Sequence, residues 1–228
     1  MSVLAWHEIS DRRSPTAVPP RQFAAQLDAL EHMGRPVIAL EQAVRRPGDG
    51  VALTFDDGHR DTYTTAFPLL ADRGLTATVY VTTGYVSTRD WFEPGGEALT
   101  WADLAEMAAA GWTIGSHTVS HPRLTELPLA ELRRELEESR AILQERLGRD
   151  CTHFCAPYGD MNRAVLHTVL QSGYSTAAVS VPPRHRLPGR LPAIVWRSGV
   201  YPDTSRLAYR LKARGWDRWL RGRWFGSA

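Results

Sequence analysis

Residues 51–61 read VALTFDDGHRD. The run from Val51 to Phe55 is apolar or β-prone throughout, and it stops at two carboxylates, a glycine and a histidine. That run reads as a buried strand. A buried strand does not ordinarily end in adjacent carboxylates, so Asp56 and Asp57 require an explanation.

Working outward, the same alternation of short apolar runs and helical patterns covers most of the chain. Strands are predicted over 2–6, 36–40, 76–82, 112–116, 152–156, 174–180 and 193–197, besides 51–55. Helices are predicted over 20–33, 61–73, 100–110 and 162–171, with Thr100 as an N-cap and Gly74 and Gly111 as stops. The clearest helix is 128–147, where Pro128 opens it, Leu129, Leu132, Leu136, Leu143 and Leu147 share a face, and Gly148 closes it. Strand–helix alternation of this kind predicts an α/β fold with seven to eight parallel strands. The count favours a closed (β/α) barrel, whose chemistry sits at the C-terminal ends of the strands. The segment 182–192 carries four prolines and three arginines and reads as a loop. No Pro-, Gly- or Ser-rich linker divides the chain, so residues 1–205 read as a single barrel domain.

Composition sets further bounds. The chain has 228 residues, 43% of them hydrophobic, which is enough for a substantial core. A net charge of +2 gives no footprint for nucleic acid. Two cysteines, Cys151 and Cys155, are too few for a disulfide framework and read as buried reduced thiols. No signal-peptide pattern opens the sequence and no run is long enough to span a bilayer, so a cytoplasmic location is expected.

The polar residues just past each predicted strand form a pattern. His7 follows 2–6, Asp56 and Asp57 follow 51–55, His117 and His121 follow 112–116, and Pro157-Tyr158-Gly159-Asp160 follow 152–156. In a barrel these positions converge. His117 and His121 are four apart, but Pro122 disfavours helical geometry at His121, so a strand-end loop is expected. Two imidazoles and one carboxylate make a three-ligand site with open positions, which suits zinc or a similar divalent ion. Neighbouring residues on an extended segment point opposite ways. One aspartate can therefore hold a metal while the other faces a substrate water and acts as its base. Against this stand plain alternatives: Asp-Asp-Gly as turn chemistry and the histidines as loop residues.

TFDDG, SHTVSH and FCAPYG, in this order, resemble the three main motifs of the polysaccharide deacetylases, the carbohydrate esterase family 4 enzymes of the nodulation-factor deacetylase homology type. The similarity runs over roughly residues 1–200. The resemblance implies a distorted (β/α) barrel, a divalent metal, usually zinc with cobalt, nickel or manganese as alternatives, and removal of N-acetyl groups from the amino sugars of a polysaccharide, oligosaccharide or lipid-linked glycan. By motif position it implies Asp57, His117 and His121 as metal ligands, Asp56 as general base, and the Tyr158 N–H as an oxyanion donor. Two departures stand out. Cys155 occupies the place where many members carry an arginine that steadies the catalytic aspartate, and no Leu-x-His motif occurs near the C-terminus. The general acid is then unassigned, and His7 is favoured for that role or for a pocket contact. Pro157 and Trp91 are candidate substrate-pocket residues, and Trp101 reads as core.

The stretch 206–228 is basic and Trp-rich. Seven basic residues and one acid, Asp217, interleave with Leu207, Tyr209, Leu211, Trp216, Trp219 and Leu220 between Arg206 and Arg223. A helix or tail of that kind can lie on a membrane surface, which would place the protein peripherally at the inner face. The alternative is a last barrel helix with a solvated basic face. Two other functions remain open on sequence: a catalytically weak glycan-binding protein, and a metal-dependent amidohydrolase acting on a non-sugar amide.

Overall fold

The structure is a computed structural model that describes residues 2–89, 96–180 and 194–216. Seven parallel strands close into a barrel in chain order. They are β1 (Ser2–Trp6), β2 (Val51–Phe55), β3 (Thr78–Val81), β4 (Thr113–Ser116), β5 (His153–Cys155), β6 (Thr176–Ser180) and β7 (Ile194–Gly199). The helices are α1 (Pro20–His32), α2 (Leu40–Arg45), α3 (Phe67–Ala71), α4 (Trp101–Ala109), α5 (Leu129–Leu147), α6 (Arg163–Gln171) and α7 (Arg206–Ala213). Among the described residues no helix is long and apolar enough to cross a membrane.

The period-2 alternation of the strands splits the core in two. Leu4, Leu53, Phe55, Val79, Val81, Phe154 and Val179 point outward and bury the apolar stripes of the helices. Val3, Ala52, Tyr80, Cys155, Ala178 and Val195 point inward and fill the barrel. The interior is crowded: a Cβ on Gly115 would lie 2.6 Å from the Tyr80 ring and 2.9 Å from the His153 carbonyl, so β4 passes Tyr80 only as glycine. Continuing the inner rows toward the C-terminal strand ends gives Ala52-Thr54-Asp56 on β2 and Val195-Arg197-Gly199 on β7. The same alternation that builds the core therefore delivers charged residues to the barrel mouth.

Two elements differ from the sequence expectation. The apolar segment 36–40 is not a strand. Val37 makes a single bridge to Val51, and α2 starts at Leu40. Its apolar side chains divide: Ile38 and Leu40, with Ala43 of α2, join the inner cluster with Val3 and Ala52 at the barrel end away from the carboxylates, and Val37 packs on the outer one. The predicted helix over 61–73 opens as a π-helical turn, Thr62–Ala66, before α3. Pro68 explains the widening, because its ring has no N–H and collides with the carbonyl four residues back.

Local signals placed the others. Thr100 caps α4 in a reciprocal box with Asp103, with Asp103 N–H donating to the Thr100 hydroxyl at 3.1 Å and Thr100 N–H to the Asp103 carboxylate at 2.9 Å. Gly148 ends α5 in a left-handed conformation at φ 62°. At the C-terminus, α7 packs on β1 through buried Tyr209, whose ring lies 6.5 Å from Trp6, while Leu207 and Trp216 are exposed. Residues 217–228, the loop 182–192 and Trp91 lie outside the described residues.

Candidate active site

At the end of β2 the backbone turns sharply. Asp57 and Gly58 both have positive φ, 72° and 85°, so the chain reverses immediately after Asp56. The two aspartates consequently face different partners. Asp57 Oδ1 lies 3.4 Å from His117 Nε2 and 3.3 Å from His121 Nε2, and its Oδ2 lies 3.7 Å from His59 Nε2. Asp56 points into the barrel.

The SHTVSH segment folds back at the end of β4. Thr118 and His121 adopt positive φ, 70° and 62°, which brings the two imidazole rings to 4.9 Å centroid separation. Left-handed backbone at non-glycine residues is costly and persists where its surroundings hold it. Here the hold is α5. The Glu135 carboxylate accepts from Val119 N–H at 2.8 Å, Ser120 N–H at 2.9 Å and the Ser120 hydroxyl at 2.6 Å. The Thr118 hydroxyl accepts from His121 N–H at 2.9 Å. His117 Nδ1 sits 2.8 Å from the Cys155 carbonyl. A carbonyl can only accept, so Nδ1 carries a proton, and Nε2 is the ring nitrogen turned to Asp57.

The arginine absent at position 155 is present by another route. Arg197 of β7, fully buried in the barrel, donates through both Nη atoms to Asp56, at 2.6 Å to Oδ1 and 2.7 Å to Oδ2. Nη1 also reaches the Thr54 hydroxyl at 3.1 Å, Nη2 reaches Cys155 Sγ at 2.9 Å, and the guanidinium lies 5.3 Å from the Tyr80 ring centroid. A thiol at 155 leaves room for a guanidinium that a second arginine there would fill. Bidentate Arg–carboxylate pairs are the strong, orienting kind. Sequence reasoning passed over Arg197; its signal was a charged residue on the inner row of a buried strand.

These contacts set the electrostatics. Burial alone would raise the Asp56 carboxyl, but the charge and hydrogen bonds of Arg197 outweigh it and hold it below its ordinary value. Burial would also raise Asp57; hydrogen bonds from His117, His121 and His59 hold it well below. Burial lowers His121 toward the neutral imidazole that binds a metal, whereas His117, despite its burial, is raised well above its ordinary value by the Cys155 and Asp57 contacts. The charges thus divide. Asp56 is neutralised by Arg197, whereas Asp57 faces imidazoles and keeps its negative charge for a cation. Asp57, His117 and His121 each offer a ligand atom within 4.8 Å of the others, so the donor set fits a divalent metal with three protein ligands and open positions. A second cluster, Asp56, His117 and Cys155, meets the same distance test, but the guanidinium of Arg197 already contacts two of its members.

The remaining candidates sort as follows. His7 lies at the end of β1 with Nε2 3.8 Å from Asp56 Oδ2 and its ring stacked on Tyr201. Tyr158 has φ 57°, and its exposed ring packs edge-on against His121 at 4.7 Å with the Arg123 guanidinium 4.5 Å from its centroid. Pro157 is buried beside it. Cys151 and Cys155 are free buried thiols, as expected. His59, unassigned on sequence, joins the centre beside Asp57. Behind it Asp61 accepts from Ile9 N–H at 3.0 Å, and burial pushes its carboxyl up to about 6.

Comparison with known proteins bears on this centre. Residues 43–177 match the family model described as polysaccharide deacetylase. A Bacillus subtilis (strain 168) protein, YxkH, named for the polysaccharide deacetylases, is 26% identical over 189 residues, 80% of this chain and 65% of that protein. A chitooligosaccharide deacetylase of Sinorhizobium fredii (strain NBRC 101917 / NGR234) is 31% identical over 148 residues, 63% of this chain and 64% of that protein. The chain therefore spans about two thirds or less of these curated relatives. Among solved structures, IcaB from Ammonifex degensii superposes with a TM-score of 0.79 at 27% identity, covering 94% of this chain and 95% of that one. The Streptococcus pyogenes deacetylase PplD, at 22% identity and a TM-score of 0.77 over 93% and 97% of the two chains, shares the fold. The chain belongs to the polysaccharide deacetylase family.

Proposed function

From this membership and the geometry at the barrel mouth, we propose that the protein is a metal-dependent N-deacetylase. It removes acetyl groups from the amino sugars of an oligosaccharide, polysaccharide or lipid-linked glycan. The observation that carries the reading is the division of charge between neighbouring carboxylates: Asp56 is clamped by Arg197, and Asp57 faces His117, His121 and His59. A glycan substrate is supported by the relatives, since the Sinorhizobium fredii protein is named for chitooligosaccharides.

Asp57, His117 and His121 would hold the metal, zinc by preference for this donor set with cobalt, nickel or manganese as alternatives. When bound, it polarises the acetyl carbonyl and acidifies a water. Asp56 accepts the proton of the attacking water; Arg197 keeps it ionised for that task and fixes its orientation. The backbone N–H of Tyr158 donates to the oxyanion that forms on the carbonyl. The C–N bond then breaks, acetate leaves, and the sugar amine takes up a proton. His7, whose Nε2 lies 3.8 Å from Asp56 Oδ2, would pass that proton to the amine.

Metal analysis and an acetate-release screen over several N-acetylated glycans test the reading together. The expected result is about one divalent ion per chain, with acetate release that is lost on chelation and in Asp56→Asn. Metal-loaded protein that releases no acetate from any N-acetylated glycan would overturn it.

A further inference from the structure

We propose that Arg123 is a specificity-determining residue that recognises an acidic group, a carboxylate or a phosphate, carried by the glycan close to the N-acetyl group that is removed. The inference deepens the deacetylase reading and rests on it. On the loops that follow β1, β2 and β3, arginines meet carboxylates. Arg12 lies 3.6 Å from Glu8, Arg60 lies 2.8 Å from Glu97 and 3.5 Å from Asp103, and Arg89 lies 3.7 Å from Glu97. Inside the barrel Arg197 has Asp56. Arg123, on the loop that follows β4, has no carboxylate partner among the described residues, and its Nη1 is buried without a hydrogen-bond acceptor. A buried donor left unpaired is costly, so its presence in a native fold calls for an explanation.

The guanidinium is held one ring away from the candidate metal ligands. It lies over Tyr158, 4.5 Å from the ring centroid, and the same ring packs on His121 at 4.7 Å. The chain that carries it is anchored. Leu124 is buried, and Thr125 donates to the Asp160 carboxylate through its N–H at 3.0 Å and its hydroxyl at 2.7 Å. Those two bonds tie the loop of SHTVSH to the loop of FCAPYG. Stacking occupies the flat face of a guanidinium and leaves its in-plane donors for another partner. Arg123 is half-buried, and with Nη1 enclosed the Nε–Nη2 edge is the one that meets a ligand. Such an edge matches a carboxylate or a phosphate with two parallel hydrogen bonds. An anion there also answers the charge that the enclosed Nη1 shares. The carboxylates of the centre do not stand against it: Asp56 is paired with Arg197, and Asp57 faces three imidazoles. Because a single ring separates Arg123 from His121, the acidic group belongs to the sugar that carries the acetamide or to its immediate neighbour.

Acetate release by the zinc-loaded full chain tests the assignment with three soluble substrates. They are a neutral N-acetylglucosamine pentamer, a peptidoglycan oligosaccharide whose lactyl groups supply carboxylates, and an N-acetylglucosamine oligomer with a terminal phosphate. The readout is the ratio of kcat/KM on an acidic substrate to that on the neutral pentamer. The wild type is expected to favour one of the acidic substrates, and the two acidic arms tell carboxylate from phosphate. Arg123→Ala should lower that ratio about 10- to 100-fold, through KM, and Arg123→Lys should restore only part of it. Raising the salt concentration should move the wild-type ratio toward that of Arg123→Ala. A structural role would slow all three substrates alike and leave the ratio where it was. That outcome, or a wild type that does not favour either acidic substrate, overturns this inference alone. If thermal melting shows Arg123→Ala to be unfolded, Arg123→Lys carries the same test, and an unchanged ratio there overturns the inference too. Zinc-loaded wild type that releases acetate from none of these and from no other N-acetylated glycan brings down the deacetylase reading with it.

Discussion

Arg197 illustrates how a single side chain can define the chemistry of its neighbour. A buried guanidinium and a buried carboxylate hold one another, and removing either leaves the other uncompensated. Arg197→Met is therefore expected to destabilise the protein by about 3–5 kcal/mol in chemical denaturation and to abolish acetate release. Arg197→Lys keeps the charge but not the two-pronged geometry, so it should recover more stability than activity. Equal recovery of both would show that charge alone suffices. Asp61 makes a separate prediction for pH. Burial raises its carboxyl from 3.8 to about 6, so the fold favours the protonated form. The associated stability is fully present below pH 4 and is lost as pH rises through about 6, by about 3 kcal/mol at most. Asp61→Asn still accepts from Ile9 N–H and does not ionise. Its stability relative to wild type should rise between pH 4 and pH 7 in urea titrations; parallel pH curves for the two proteins would refute this. At this scale the motif residues were readable because each lies immediately beyond a recognisable strand. Arg197 was not, because its partner is 141 residues away and only barrel closure joins them.

At the scale of elements, α5 works as more than a packing helix. It carries Leu132, Leu136 and Leu143 into the core and, from the same side, presents Glu135 to the loop that bears His121. The three hydrogen bonds to Glu135 hold backbone that would otherwise relax out of the left-handed region. Glu135→Ala is expected to lower metal affinity about 10- to 100-fold, measured by competition with a chromophoric chelator, although Glu135 touches no ligand atom. Unchanged affinity would show that the loop holds its shape without α5. The helices were legible from their caps and leucine stripes. The segment 36–40 misled because short apolar runs suit a strand and a barrel plug equally well, and the choice is made by the cavity they fill. Nor did periodicity signal the π-helical turn before α3, since Pro68 alone marks it.

At the scale of the whole molecule, the barrel is unevenly sewn. β1 and β2 pair over five residues, Ser2↔Val51 through Trp6↔Phe55, whereas β4 and β5 share one pair, Ser116↔Phe154. In native-state hydrogen exchange, amides along the β4–β5 seam should open before those of β1 and β2; the reverse order would count against this account of the barrel. Strand count and direction were legible from the alternation of elements, and seven of the eight candidate strands formed. The quality of each seam was not, because register depends on how neighbouring strands twist past one another.

The pairing of Asp56 with Arg197 also has a temporal side. The ribosome delivers Asp56 early and Arg197 late, 141 residues apart. Until β7 arrives, Asp56 has no Arg197 to pair with and the strand order cannot close. The site's competence is thereby tied to the arrival of β7: an intermediate ending after β6 has every residue of the three motifs and still lacks an oriented base.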